Sequence, residues 1–153
     1  MPVDSAFGSR QFWTADGYLA QNEILFDQGQ LKNYLLNHYA ATKLGQKASR
    51  SSGNYLRMRA GEQNLQDMVG SVKKGVLLGR YSFGSPAENG DISGVAKNSY
   101  YIENGEIKYP LGETMVSANL AKMLHDVTDV SRETISSGYW EFPWVRFGGV
   151  TVS

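Results

Sequence analysis

Metal coordination is the first chemistry to consider in this 153-residue chain, and the residues suited to it are few. The only histidines are His38 and His125, and there is no cysteine. A zinc site needs three or four ligands in tetrahedral reach, but these histidines lie on different predicted helices. They could meet at Asp126, or, more simply, His38 packs or hydrogen-bonds on its helix and His125 lies near a helix C-terminus, where positive charge is favoured. We predict no metal ligand and no cofactor in this chain.

Paired carboxylates are the other candidates for catalysis. Glu103 and Glu106 flank Asn104-Gly105 and could face each other across a hairpin, an arrangement that can serve general acid–base chemistry. The simpler interpretation is two solvated carboxylates beside a turn. The serines lack a G-x-S-x-G nucleophile motif. We predict no catalytic residue.

The loop Ser85–Gly94 is rich in glycine, asparagine and backbone donors, and it carries one acid, Asp91. Asn and Asp side chains in such loops usually bond to their own backbone. The functional alternative is that the exposed amides help to hold an extended peptide. Its candidate peptide-binding residues are Asn89, Gly90, Asp91 and Ser93.

Aromatic residues are concentrated near the C-terminus, at Tyr139, Trp140, Phe142, Trp144 and Phe147. Because alternate residues of a strand face opposite sides, one strand cannot turn all five inward. They either cover a second core face or form an exposed patch of the kind that marks an interface. We predict a homodimer or a partner subunit, with Trp140 or Trp144 at the contact.

Charge and composition limit the partners. Fifteen basic and fifteen acidic residues cancel, which disfavours nucleic acid or an anionic membrane as a partner. No apolar run approaches the ~18 residues of a membrane helix, and the lack of cysteine is typical of a cytoplasmic protein. We expect one domain over residues 1–153, with residues 1–9 a poorly ordered lead-in.

Apolar periodicity predicts two principal helices. The first covers Leu31–Leu44 and is capped by Gly45, and the second carries Val116, Leu120, Met123, Leu124 and Val127 on one face. Leu35 and Leu120 are their predicted core anchors. Asn64 could cap a further short helix.

Strand patterns outnumber helical ones, with no βαβ rhythm, which predicts an α+β fold with a mainly antiparallel, strongly twisted sheet. Asn-Gly pairs supply the positive φ angles of two-residue hairpin turns. The predicted strands and turns are Asn54–Arg59, Gly75–Tyr81, a turn at Asn89-Gly90, a hairpin of Ser99–Glu103 with Glu106–Tyr109 ended by Pro110, and Trp144–Val152 with a bulge at Gly148-Gly149.

Several motifs occur together in one order: YLLNHYAATKLG at Tyr34–Gly45, NGDISG at Asn89–Gly94, YIENGEIKYP at Tyr101–Pro110 and NLAKML at Asn119–Leu124. In this order they resemble the C-terminal region of the TldD/PmbA family. That family was once described as modulators of DNA gyrase and is now regarded as metallopeptidases.

The resemblance implies a peptidase lobe without its catalytic helix. Active members carry an HExxxH zinc helix, and metal-binding members add a cysteine near the C-terminus, in the part that here reads ISSGYWEFPW; this sequence has neither. By resemblance the chain is a scaffold and peptide-binding lobe, inactive alone, with zinc expected only in a complete member. It is closer to the PmbA type, which pairs with a TldD-like subunit. The alternative is a non-catalytic interaction or regulatory subunit.

Overall fold

The computed structural model describes residues 12–51 and 53–153, so the expected lead-in at 1–9 lies outside the described residues. The described chain divides into two compact units. The first comprises residues up to Met58 together with Ile135–Phe142, and the second comprises Arg59–Thr134 and Pro143–Ser153. Mostly antiparallel sheets and three short helices confirm the α+β class, although the two helices predicted as principal ones are only six or seven residues long.

In chain order the elements are β1 (Phe26–Asp27), β2 (Gln30–Leu31), α1 (His38–Leu44), β3 (Leu56–Arg57), α2 (Leu65–Gly70), β4 (Lys74–Leu77), β5 (Arg80–Phe83), β6 (Asp91–Lys97), β7 (Ser99–Glu103), β8 (Glu106–Leu111), β9 (Thr114–Asn119), α3 (Leu120–His125), β10 (Val127–Ser136), β11 (Trp140–Phe147) and β12 (Thr151–Val152). None of the helices in the described residues is long and apolar enough to cross a membrane.

Helix α1 is half as long as the apolar pattern suggested. It begins only after Asn37, whose side chain accepts a hydrogen bond from the Ala40 N–H at 2.8 Å, and Gly45 ends it with φ 63° as predicted. Leu35 precedes the helix and is 45% exposed, so its prediction as a core anchor is wrong. The physical reason is the Ser49 hydroxyl, which bonds the backbone on either side of Leu35 and holds it out of the helix.

Helix α2 forms where the sequence indicated. The Asn64 side chain accepts from the Asp67 N–H at 2.8 Å. The Glu133 carboxylate accepts from the Leu65 N–H at 3.0 Å, so an acid from β10 also satisfies the first turn. Met68 is buried on the inner face of this helix.

The sheets of the second unit have the orders β12-β9-β6-β5 and β4-β7-β8. The predicted single strand Gly75–Tyr81 is wrong, because its residues divide between β4 and β5 in different sheets. Gly79 lies at the division, where an added Cβ would come within 2.1 Å of the Asn98 carbonyl oxygen. Only glycine allows this close approach. The apolar core of the described residues here consists of Met68, Ile92, Ala96, Ile102 and Val116.

One of the two predicted Asn-Gly turns is confirmed. Asn104 and Gly105 have φ 51° and 79° and join β7 to β8. Pro110 lies inside β8 and does not end it, because β8 is an edge strand in which a missing N–H is tolerated. At Asn89-Gly90 only the glycine has positive φ, and residues 84–90 form a longer loop between β5 and β6.

The second predicted helix also differs from the structure. Val116 is buried in β9 and Val127 begins β10, so only Leu120–His125 is helical, beginning after the cap Asn119. Leu120 is partly buried, while Leu124 is 56% exposed. Both ends of this apolar stripe belong to strands, because Val116 pairs with Gly94 of β6 and its side chain is buried on one face of that sheet.

The predicted closing strand Trp144–Val152 is interrupted at its glycine pair. β11 ends at Phe147 and β12 begins at Thr151, in different sheets. Gly149 has φ 71°, a conformation in which the chain leaves one sheet for the other. Between residues 54 and 59, only Leu56–Arg57 is strand, paired in parallel with Trp140 and Glu141 of β11.

Candidate functional site

One face of the sheet β12-β9-β6-β5 carries a row of hydroxyl groups. Ser93 of β6 is opposite Ser117 of β9, and Ser117 is opposite Thr151 of β12. Because directly paired residues point to the same face, the three side chains form one row across three strands. The Ser93 and Ser117 hydroxyl oxygens lie 2.9 Å apart, so one donates to the other.

Asp91 and Asn119 form the neighbouring row on this face, two residues along each strand. The Asn119 side-chain amide donates to Asp91 Oδ1 at 2.9 Å, and the Asn89 side-chain amide donates to Asp91 Oδ2 at 2.8 Å. These bonds, first from Asn119 and then from Asn89, lower the pKa of Asp91 below its ordinary value, with a smaller contribution from the charge of Lys122. Asp91 is therefore ionised at neutral pH.

The two rows line an open pocket of about 460 Å³ in the second unit. Lys122, in α3, also lines it. Within the described residues, the Lys122 ammonium group makes no hydrogen bond and no ion pair shorter than 4.0 Å. The pocket thus combines hydroxyl groups, an amide, a fixed carboxylate and an available cation.

The four candidate peptide-binding residues occupy two kinds of position. Asp91 and Ser93 line the pocket. Asn89 supports the Asp91 carboxylate from the preceding loop, and the Gly90 carbonyl oxygen accepts from the Leu120 N–H at 2.9 Å at the start of α3. The first two could contact a ligand, while the other two position them.

Sequence reasoning did not find the cross-strand members of this pocket, Ser117, Asn119 and Thr151, nor Lys122 of α3. Ser117, Asn119 and Lys122 lie in the stretch that the apolar pattern assigned to one helix, and Thr151 lies beyond the glycine pair. The only signal that could have found the three cross-strand residues is the strand register, which no local motif encodes.

The interface candidates Trp140 and Trp144 differ in exposure. Trp140 stacks on Phe142 with ring centroids 5.4 Å apart, and each of these residues of the first unit is 37% exposed. Trp144, in the second unit, is partly buried, and its backbone N–H donates to the Ser131 hydroxyl at 2.8 Å. Trp140 is therefore the tryptophan better placed to contact another molecule.

The carboxylates of Glu103 and Glu106 stand opposite each other in register but have separate partners. Glu103 accepts from the Tyr101 hydroxyl at 3.3 Å, and Glu106 forms an ion pair with Lys108. The hydrogen bond and charge of Lys108 lower the pKa of Glu106. Two exposed and separately bonded acids do not form a proton-sharing pair.

The residues that the structure describes do not fit a zinc site. No group of three His, Cys, Asp or Glu side chains among them could hold a metal. His38 Nδ1 lies 2.9 Å from the Tyr18 hydroxyl, in the first unit, and exposed His125 ends α3 in the second. His125 therefore lies at a helix C-terminus as expected, whereas the partner of His38 lies outside its helix.

Comparison with known proteins relates the whole chain to peptidases. The family described as the PmbA/TldA metallopeptidase C-terminal domain matches residues 2–153. A metalloprotease PmbA from Escherichia coli O157:H7 is 30% identical over 88% of this chain and 32% of its own length. A zinc metalloprotease TldD homologue from Saccharolobus solfataricus is 26% identical over 91% of this chain and 34% of its own length.

A solved structure from Bacteroides thetaiotaomicron, described as a proposed modulator of DNA gyrase, superposes with a TM-score of 0.85. It is 26% identical and is matched over 96% of this chain and 34% of that one. The chain spans about a third of the length of the relatives that it matches. Since the family match covers residues 2–153, the chain belongs to the PmbA/TldD metallopeptidase family and corresponds to its C-terminal domain.

Proposed function

We propose that this chain supplies a peptide-binding surface to a metallopeptidase and performs no hydrolysis by itself. The observation that carries the proposal is the polar pocket on the face of β6, β9 and β12. An extended peptide presents one backbone donor and one acceptor per residue, apart from proline. Hydroxyl groups, which both donate and accept, suit such a ligand without demanding one side-chain sequence.

The second part of the proposal concerns catalysis. In zinc peptidases the metal polarises the scissile carbonyl and activates water. The described residues offer no ligand set for that ion, and Glu103 and Glu106 are bonded elsewhere. We assign no step of hydrolysis to this chain, and we expect neither stoichiometric zinc after dialysis nor cleavage of unfolded peptides. One tightly held zinc ion per chain, lost in His38→Ala or His125→Ala, would contradict this assignment.

Peptide binding is tested by filling the pocket. Ser117→Leu places an apolar side chain in the middle of the hydroxyl row, where it removes a donor and occupies volume. Gln66→Leu, on the exposed side of α2 and away from the pocket lining, is the matched control. Titration with a fluorescent unstructured peptide should show that Ser117→Leu binds at least about tenfold more weakly, a loss of ~1.4 kcal/mol of binding free energy. The affinity of the control should be unchanged. Equal affinity in both variants at unchanged thermal stability would refute the pocket as the peptide site.

A second candidate function is a non-catalytic interaction subunit, favoured by the exposed Trp140–Phe142 stack. Paired aromatic side chains are frequent energetic centres of interfaces. We propose that this stack contacts a second copy of the chain or a TldD-like subunit. We propose the cytoplasm as the compartment, because a chain without cysteine forms no disulfide and needs no oxidising environment. Sedimentation at micromolar concentration, alone and with a TldD-like protein, should show association that Trp140→Ser weakens. A strict monomer that ignores both partners would end this proposal.

A further inference from the structure

We propose that Lys122 and the hydroxyl row of Ser93, Ser117 and Thr151 form a subsite for a carboxylate group. The inference rests on the proposed peptide-binding function and assigns to the pocket a preference among peptides. The carboxylate has two possible sources in a peptide, the C-terminus and an acidic side chain. The chemistry at the subsite is the same for both.

Available hydrogen-bond donors favour an anion in this pocket. An ammonium group has three donors, and that of Lys122 makes no hydrogen bond within the described part of the chain. One of the Ser93 and Ser117 hydroxyl groups donates to the other, so the proton of the accepting hydroxyl stays available for a ligand. The Thr151 hydroxyl likewise makes no hydrogen bond to another described residue. A carboxylate accepts from all of these groups, and a charge-assisted bond is about twice as strong as a neutral one.

The acid at the pocket does not cancel this preference. Both oxygens of Asp91 already accept amide hydrogen bonds, from Asn119 and Asn89, so its charge is held at one end of the pocket. The opposite arrangement is an ammonium ligand, such as a peptide N-terminus, held by Asp91. The two arrangements predict opposite effects of removing the Asp91 charge, which makes them separable.

The decisive measurement uses one unstructured peptide in three forms: a C-terminal acid, a C-terminal amide, and the same amide with one internal Gln replaced by Glu. All three carry an acetylated N-terminus, and calorimetry gives Kd for the full chain. We expect the acid form to bind about tenfold more tightly than the amide. If the Glu-containing amide regains that affinity, the subsite accepts acidic side chains, and if it does not, the subsite reads the C-terminus.

Variants then locate the effect. Lys122→Gln should abolish the acid-over-amide ratio, and Lys122→Arg, which keeps the charge, should retain most of it. Asp91→Asn removes a like charge from the pocket and should raise affinity for the acid form. Raising the salt concentration should reduce the ratio, because screening weakens exposed charge pairs.

The possible failures are distinct. If no peptide binds, the proposed function and the subsite fall together. If all three forms bind equally and Ser117→Leu abolishes binding, the peptide site stands and the carboxylate subsite is refuted. The subsite is also refuted if Lys122→Gln leaves the ratio unchanged, or if Asp91→Asn weakens binding of the acid form.

Discussion

The two units of this chain differ in the contacts that stabilise each of them internally. Among the described residues of the first unit, Ala41 is the only buried apolar residue, whereas the second buries Met68, Ile92, Ala96, Ile102 and Val116. The first unit instead exposes many large apolar side chains: Phe12, Trp13, Leu19, Ile24, Phe26, Leu31, Tyr34, Leu35, Tyr39 and Leu44.

Side-chain-to-backbone bonds take the place of a core in the first unit. The Asp16 carboxylate accepts from the His38 N–H at 2.9 Å, the Glu23 carboxylate accepts from the Arg50 N–H at 2.6 Å, and the Arg50 guanidinium lies 4.7 Å from the Tyr18 ring centroid. Such contacts fix loops but each contributes little, since they are exposed. Because most of the buried apolar residues lie in the second unit, we expect that unit to supply most of the folding free energy.

The largest expected effect is in the core of the second unit. Ile102 is 3% exposed, and Ile102→Ala should lower the free energy of unfolding by about 2–5 kcal/mol through lost burial and a residual cavity. Leu35→Ala, in the first unit, should lower it by less than about 1 kcal/mol because Leu35 is 45% exposed. Urea unfolding measures both. Equal losses at the two sites would show that the first unit has a core of comparable weight.

The next effect concerns Arg146, which bonds the end of α2 to β10. Its guanidinium donates to the Met68 carbonyl oxygen at 3.3 Å and to the Thr128 hydroxyl at 3.0 Å, and it pairs with the Asp129 carboxylate, which is mostly buried. Arg146→Met would leave that acid unpaired, so we expect a loss of about 1–3 kcal/mol after discounting for solvent screening.

Arg132→Met is the control for this variant, because Arg132 is an exposed arginine of the same strand region with no side-chain partner in the described residues. It should change the free energy of unfolding by no more than about 0.5 kcal/mol. A loss as large as that of Arg146→Met would mean that charge, and not the Arg146 contacts, explains the result.

Removing a helix cap should change stability less, and differently in the two units. Asn64→Ala removes the cap of α2 and should lower global stability by about 1 kcal/mol. Asn37→Ala removes the equivalent cap of α1, but its effect should appear mainly as faster amide hydrogen exchange in residues 40–44, because that unit opens locally. Native-state exchange with mass spectrometry separates the two. Equal global losses would contradict the difference between the units.

The smallest effect is the pH dependence contributed by Asp91. Its native pKa lies below the ordinary value of 3.8, chiefly through the Asn119 hydrogen bond. A lowered pKa gives stability that is present above pH 3.8 and disappears as pH falls through the native pKa. The stability difference between the natural chain and Asp91→Asn should therefore narrow below about pH 4. A difference that stays constant down to pH 2 would show that the charge of Asp91 is not involved.

Local signals in the sequence were reliable where a few neighbouring atoms decide the conformation. Asn64 as a cap, Gly45 at the end of α1 and the Asn104-Gly105 turn all form as predicted. Each depends on a positive φ or on a side-chain bond to the backbone within three residues. The family followed from motif order, which the match over residues 2–153 confirms.

Predictions from apolar periodicity were wrong where residues pair with strands that are distant in sequence. Val116 has helical spacing with Leu120, yet it lies in β9, where its backbone pairs with Gly94 of β6 and its side chain is buried on one face of the sheet. Gly75–Tyr81 looked like one strand, but two different neighbours, β7 and β6, each pair with one half of the segment. A local helix or strand pattern does not contain this information, since the pairing strand is far away in sequence.

By itself, the sequence determined the α+β class, the caps at Gly45 and Asn64, one hairpin turn and the family. Only the tertiary structure decided that Ser93, Ser117 and Thr151 share a row and that Lys122 faces the pocket beside Asp91. The physical reason is strand register. A shift of one residue turns every side chain to the other face, and register is set by burial of Ile92 and Val116 on the opposite side, not by the polar residues of the site.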